Sequence, residues 1–177
     1  MKLGLKLWQF IGFVIAVFLG SLLHFLYDWT NCTFLALFSS VNESTWEHMK
    51  ILFFPMLFFA IFQSFFFSKE YKNFWCIKLI GTLVGTFSIP FVFYTLKGVF
   101  GNYPDFINIL IFFVCAFIGY LYEYILFTKN TIKCKLQLIP ILILGFMAVV
   151  FFVFTFYPPR IPIFLDPITK TYGVFKL

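Results

Sequence analysis

Residues 7–27, LWQFIGFVIAVFLGSLLHFLY, run without a single Asp, Glu, Lys or Arg. A helix crosses the hydrocarbon core with about 20 apolar residues, so this stretch predicts a membrane span. Four more stretches follow outward along the chain, at 49–67, 77–96, 106–127 and 136–157. The reading is an all-α integral membrane bundle of about five transmembrane helices, occupying residues 1–157, with a Pro-rich extracytoplasmic tail from 158 to 177. Lys2 and Lys6 give the first span the start of a signal peptide. Its apolar run is too long, however, and no small-x-small cleavage site follows, so an uncleaved first helix is expected.

Composition agrees. Only 11% of the 177 residues are charged, against roughly 25% in an average soluble domain, and 62% are hydrophobic. A soluble fold of this size has too little interior to hide that much apolar surface. The 13 basic residues are dispersed, which argues against nucleic-acid binding. Cys32, Cys76, Cys115 and Cys134 show no CxxC spacing and read as small apolar filler. Phe, at 31 residues, runs evenly through every span, a compositional bias rather than an aromatic cage.

Five spans place the termini on opposite sides, and short cytoplasmic segments collect Lys and Arg. Lys2, Lys6, Lys69, Lys72, Lys78, Lys129, Lys133 and Lys135 fall on one side. That side is read as cytoplasmic, with the N-terminus inside, the C-terminus outside and the plasma membrane as the location. Trp prefers the headgroup level; Trp8 and Trp75 mark inner ends, Trp29 and Trp46 the first outer connection. Small residues let helix backbones approach, so the rows Gly12, Ala16, Gly20 and Gly81, Gly85, Ser88 predict contact between spans one and three. Pro55 and Pro90 should kink their helices.

Once sides are assigned, the rare ionisable groups form a pattern. Asp28, Glu43, Glu47, Asp105 and Asp166 lie outside, with both histidines, His24 and His48, and the one arginine, Arg160. Ionisable groups near a bundle interior are candidates for function. The densest piece, Val41 to Lys50, reads VNESTWEHMK. Ser40 with Glu43, and Ser44 with Glu47, have capping-box spacing, so part of the motif can simply start a helix, with Trp46 as an interface anchor. His24 and Asp28, four apart, share one face of the first span. A divalent cation such as zinc takes three or four His, Cys or carboxylate ligands, and His24, Asp28, Glu47 and His48 are the candidate set, with Glu43 an alternative acid. His48 sits about 100° round the helix from Glu47, which weighs against one ion collecting every group. The H-x-x-E-H signature is incomplete because Ser44 stands where its first histidine would be. From Pro158 onward, four prolines and Ile161, Ile163, Phe164 and Leu165 predict a stiff, apolar tail folded back over the outer mouth, bringing Arg160 toward the acids. Inside, Lys78 is expected to pair with Glu123.

The segments Leu23 to Tyr27, Val41 to Lys50 followed by Phe54-Pro55, and the closing Pro158-Pro159, Asp166-Pro167 and Tyr172-Gly173 resemble an uncharacterised family of small multipass membrane proteins from Gram-positive bacteria. The resemblance implies a fold and no activity. The candidate site is therefore His24, Asp28, Glu43, Ser44, Glu47, His48 and Arg160 at the outer mouth, in a protein that binds a cation, a lipid headgroup or a partner subunit. A metal-dependent membrane hydrolase acting on a lipid or amphiphile is the alternative. A small transporter is the third reading and would need more polar groups near the midplane. The bilayer is the expected partner, with a membrane protein or a second copy as further candidates.

Overall fold

In a bilayer every backbone N–H and C=O must be satisfied within the protein, which leaves helices as the solution for an apolar chain of this kind. The computed structural model describes residues 2–104 and 106–174 and contains five long helices, each apolar enough to span. They are α1 (Lys2–Thr30), α3 (Thr45–Phe67), α4 (Phe74–Phe100), α5 (Phe106–Lys129) and α6 (Leu138–Phe156); α2 (Thr33–Ala36) is one short turn between the first two spans, and a 3-10 turn covers Pro162–Phe164. The spans run alternately up and down. One end of the bundle holds residues 28–45, 100–104 and 157–174; the other holds Lys6, Lys69, Lys72, Lys129, Lys133 and Lys135. Asp105, counted among the outer acids, lies outside the described residues.

Two helices end on asparagine. Asn31 and Asn130 both take φ of 49°, and their N–H groups return to Tyr27 and Leu126 carbonyls at 2.7 and 3.0 Å. Asn tolerates the left-handed region better than most residues and so closes a helix much as glycine does. Pro55 and Pro90 both lie inside their helices.

The glycine rows pack, but against different neighbours from those expected. A Cβ on Gly12 would meet the Phe59 and Tyr120 rings, and one on Gly20 would meet the Phe112 ring and, at 2.9 Å, the Ile51 carbonyl. The α1 row therefore faces α3 and α5. Gly85 faces α5 as well, and Gly119 on α5 lies so close to α4 that its Cβ would stand 3.0 Å from the Gly81 carbonyl. Spans one and three are both seated on α5, which presents large rings to α1 and a glycine to α4. Gly81 also makes room for the Glu123 side chain, whose carboxylate meets Lys78 Nζ at 2.6 Å in a fully buried pair.

Two cysteines are not filler. Cys76 and Cys134 form a disulfide joining the start of α4 to the α5–α6 connection. They are separated by 58 residues in sequence, so spacing alone offers no pairing signal. Cys115 is buried and free, as expected of filler, and Cys32 is free and exposed.

Gly119→Leu should overpack the α4–α5 contact and cost about 1–3 kcal/mol. At roughly 2–4 °C per kcal/mol for a chain of this size, the expected result is a drop of about 2–12 °C in the thermal unfolding midpoint of detergent-solubilised protein. Gly98→Ala and Gly145→Ala, in helix interiors where a Cβ meets nothing within 4 Å, should not lower the midpoint, since Ala favours a helix over Gly.

Candidate functional site: a histidine and carboxylate cluster at the bundle mouth

The segment 31–44 between α1 and α3 is pinned to the end of α1 by serines. Ser39 Oγ accepts from the Tyr27 N–H at 2.9 Å and donates to the Leu23 carbonyl, and the Ser40 N–H reaches the same carbonyl at 3.1 Å. A hydroxyl inserted into the i to i−4 ladder opens the helix locally. The insertion brackets His24 and fixes the turn that carries it.

The start of α3 uses one of the two expected capping boxes, and only in part. Ser44 is the N-cap and its Oγ accepts from the Glu47 N–H. The reciprocal bond to the Ser44 N–H comes from Asn42 Oδ1 at 2.9 Å. Ser40 instead donates to the Asn42 carbonyl, so Glu43 lies before the helix and does not share a face with Glu47.

Glu47 is freed from capping and turns inward. Its Oε2 lies 2.5 Å from Lys50 Nζ and accepts from the Val41 N–H at 3.0 Å. Lys50 Nζ also donates to the Ala36 carbonyl and to Thr155 Oγ1 on α6, each at 2.9 Å. Both charges are essentially without exposure. Glu47 is thus a structural anion, not a ligand, which removes it from the candidate metal set. Lys50, which the sequence reading gives no role beyond closing the Val41 to Lys50 segment, is the cation that binds four segments together. The signal available was its position three residues after Glu47 on a helix.

With the loop held this way, Glu43 projects between the two histidines. Its Oε2 is 3.5 Å from His24 Nε2 and 3.7 Å from His48 Nε2, and the three candidate ligand atoms lie within 4.8 Å of one another. His48 Nδ1 is 2.9 Å from the Ser44 carbonyl. A carbonyl can only accept, so Nδ1 carries a proton, and the neutral form of the ring turns its Nε2 lone pair toward Glu43. An imidazole oriented by a backbone carbonyl is the usual support for a metal-binding histidine. The His24 imidazole beside it holds the Glu43 carboxyl below the usual carboxylate range, so the cluster has a negative member at neutral pH. Two imidazoles and a carboxylate are a common three-ligand set for zinc, with a fourth position left open.

The remaining expected residues fall elsewhere. Asp28 is exposed and borders a shallow recess with Glu43, Asp166 and Thr169, outside the three-ligand group. Arg160 is exposed and is in no ion pair among the described residues; the tail delivers other residues to the mouth. Phe164 docks on Trp46 and Phe154 with ring centroids 4.6 and 5.4 Å apart. Trp46, at 7% exposure, is therefore the seat of the tail and not an interface anchor. Beyond it Asp166 closes a turn, accepting from the Ile168 N–H and the Thr169 hydroxyl, and the returning strand is tied down by Val174 N–H to the Thr155 carbonyl and by Asn42 Nδ2 to the Gly173 carbonyl. Thr155 thus serves both the tail and Lys50.

Beside the cluster a cavity of about 610 Å³ opens between α1, α3, α4 and α5, reaching Gly20, Ile89, Phe93 and Phe112 within the bundle and Pro167 and Ile168 of the tail. Its polar contributors besides His24, Glu43 and His48 include Lys97, Tyr103 and Asn108.

Fold and site together define a multipass helical membrane protein with a two-histidine, one-carboxylate cluster at one mouth of its bundle. The chain belongs to the family of unknown function DUF6512, which it matches over residues 2–174. No curated protein and no solved structure matches it.

Removing one member of the Glu47–Lys50 pair should be far more costly than removing both. Lys50→Met, which strands a buried carboxylate, is expected to lose about 3–5 kcal/mol, while Glu47→Leu combined with Lys50→Met should recover much of that loss. Thermal unfolding of the three proteins in one detergent checks this ordering.

Proposed function

We propose that this protein binds a divalent transition-metal cation of the zinc type at the extracytoplasmic mouth of its bundle, through His24 Nε2, His48 Nε2 and a Glu43 carboxylate oxygen. The observation that carries the reading is the convergence of these three atoms from α1, α3 and the connecting loop, to within 4.8 Å of one another. Imidazole and carboxylate suit zinc and its neighbours better than they suit calcium or magnesium. The excess of lysines at the opposite end supports placing this mouth outside the plasma membrane, while the Cys76–Cys134 disulfide at that lysine-rich end argues the other way, because a reducing cytoplasm keeps thiols unpaired.

One feature favours hydrolysis as a second reading. Three protein ligands leave a coordination position for water, and a metal-bound water can act as a nucleophile near neutral pH. The adjoining cavity would seat an amphiphile against it. Zinc-loaded protein that releases no headgroup from a single-chain phosphate ester would sink the hydrolase reading and leave binding intact.

The cation reading is checked by titrating detergent-solubilised, metal-free protein with zinc in competition with a chromogenic chelator. His24→Ala and His48→Ala should each weaken zinc binding by at least 10-fold, Glu43→Gln should weaken it as well, and Asp28→Asn should change it little. Unfolding midpoints measured without zinc should be similar for all five proteins, separating ligand loss from misfolding. Equal zinc affinity in the wild type and in a His24→Ala, His48→Ala double variant would overturn the reading.

A further inference from the structure

The cavity beside the cluster has two kinds of wall. Its floor is apolar, formed by Ile51, Ile89 and Phe112, while its upper part carries the histidine cluster, Tyr103 with its hydroxyl on Asn108, and Lys97. At about 610 Å³ it falls within the roughly 300–1,000 Å³ typical of small-molecule sites. It is also open sideways. Phe25 of α1 and Ile109 and Phe113 of α5 line it and yet are 50%, 62% and 38% exposed, so the gap between these two helices faces the surface that the lipid tails would cover. The depth of this gap follows from the α1–α5 contact at Gly20 and Phe112, where the helices meet below it.

We propose that this cavity binds a single-chain amphiphile with an acidic headgroup, taken laterally from the bilayer between α1 and α5. The chain lies along Ile89 and Phe112. The acidic oxygen, carboxylate or phosphate, is received by Lys97 and by the cation on His24, Glu43 and His48. Charge selects the head: Lys97 is a cation at the cavity edge, held over the Phe93 ring at 5.6 Å, and a bound divalent ion adds a second positive centre with an open position. Area selects the tail, since the floor offers nothing to pair with a second polar group. Pro167 and Ile168 of the tail border the mouth beside the head position.

The headgroup half of this assignment rests on the cation reading; the chain half does not. The test uses cis-parinaric acid, a fluorescent fatty acid, its methyl ester, and dodecyl phosphate as a competitor, with the full chain in lipid nanodiscs and empty nanodiscs subtracted. Saturable binding of the acid is expected, displaced by dodecyl phosphate and not by inorganic phosphate. Ser21→Trp, at an exposed α1 position lining the cavity, should weaken acid binding at least 10-fold while zinc affinity stays unchanged. Lys97→Met should reduce the preference for acid over methyl ester several-fold. Zinc binding with no saturable acid binding, or acid binding untouched by Ser21→Trp, overturns the amphiphile proposal and leaves the metal reading standing. Acid binding that Ser21→Trp abolishes and zinc never affects overturns the metal's part in holding the head and upholds the cavity as the chain site. Methyl ester bound as tightly as the acid contradicts recognition of an acidic head.

Discussion

The mouth of this bundle is organised by one buried ion pair. Glu47 and Lys50 are three residues apart at the start of α3, and between them they hold the Val41 N–H, the Ala36 carbonyl and Thr155 on α6. Two charges withdrawn from water are expensive unless their remaining hydrogen-bonding capacity is met by the protein. Here it is met by backbone from the α1–α3 connection and by a hydroxyl from the last span. The pair consequently determines where that connection runs, and Glu43 rides on it. Had Glu47 completed its capping box, the loop would lack its anchor and the carboxylate between the two histidines would have no fixed position.

The same economy of polar groups shapes the rest of the mouth. Ser39 enters the α1 ladder around His24, Ser44 caps α3 and orients His48, and Thr155 serves the Lys50 ammonium with its hydroxyl and the tail with its carbonyl. In an apolar chain each polar side chain must satisfy partners from several elements, because an unpaired buried polar group costs about 1–3 kcal/mol. Placing a ligand cluster therefore requires the surrounding loop to be built from residues that look, one at a time, like ordinary caps.

The sequence made the helical architecture readable because span length is a property of single segments. The spans at 7–27, 49–67, 77–96, 106–127 and 136–157 differ from the observed helices only by a few residues at their ends, where Asn31, Ser44 and Asn130 set the true limits. The return of the tail was readable too, from its apolar residues and prolines. Pairwise facts were harder. Periodicity placed Gly12, Ala16 and Gly20 on a packing face but could not say that α5 lies across it, and a sequence separation of 58 hid the Cys76–Cys134 bond. Within the site, His24, Glu43 and His48 were all named, yet the choice between Glu43 and Glu47 depended on whether the helix began at Thr45 or earlier. The choice of Ser44 over Ser40 as N-cap, one helical turn apart, decides which acid faces the histidines and which is buried with Lys50. Arg160 lies elsewhere for a related reason: Phe164, seated on Trp46, sets the position of the tail, and Arg160 takes no part in it.

The central claim is that two imidazoles and one carboxylate converge on a single cation. X-ray absorption at the zinc edge of zinc-loaded protein measures that ligand set directly. The account predicts a four-coordinate site with nitrogen and oxygen at about 2.0–2.1 Å, imidazole scattering from two rings and no sulfur, reduced to one ring in His48→Ala. A sulfur shell at about 2.3 Å, pointing to Cys32 or another thiol, or the all-oxygen pattern of a hydrated surface ion, would contradict it.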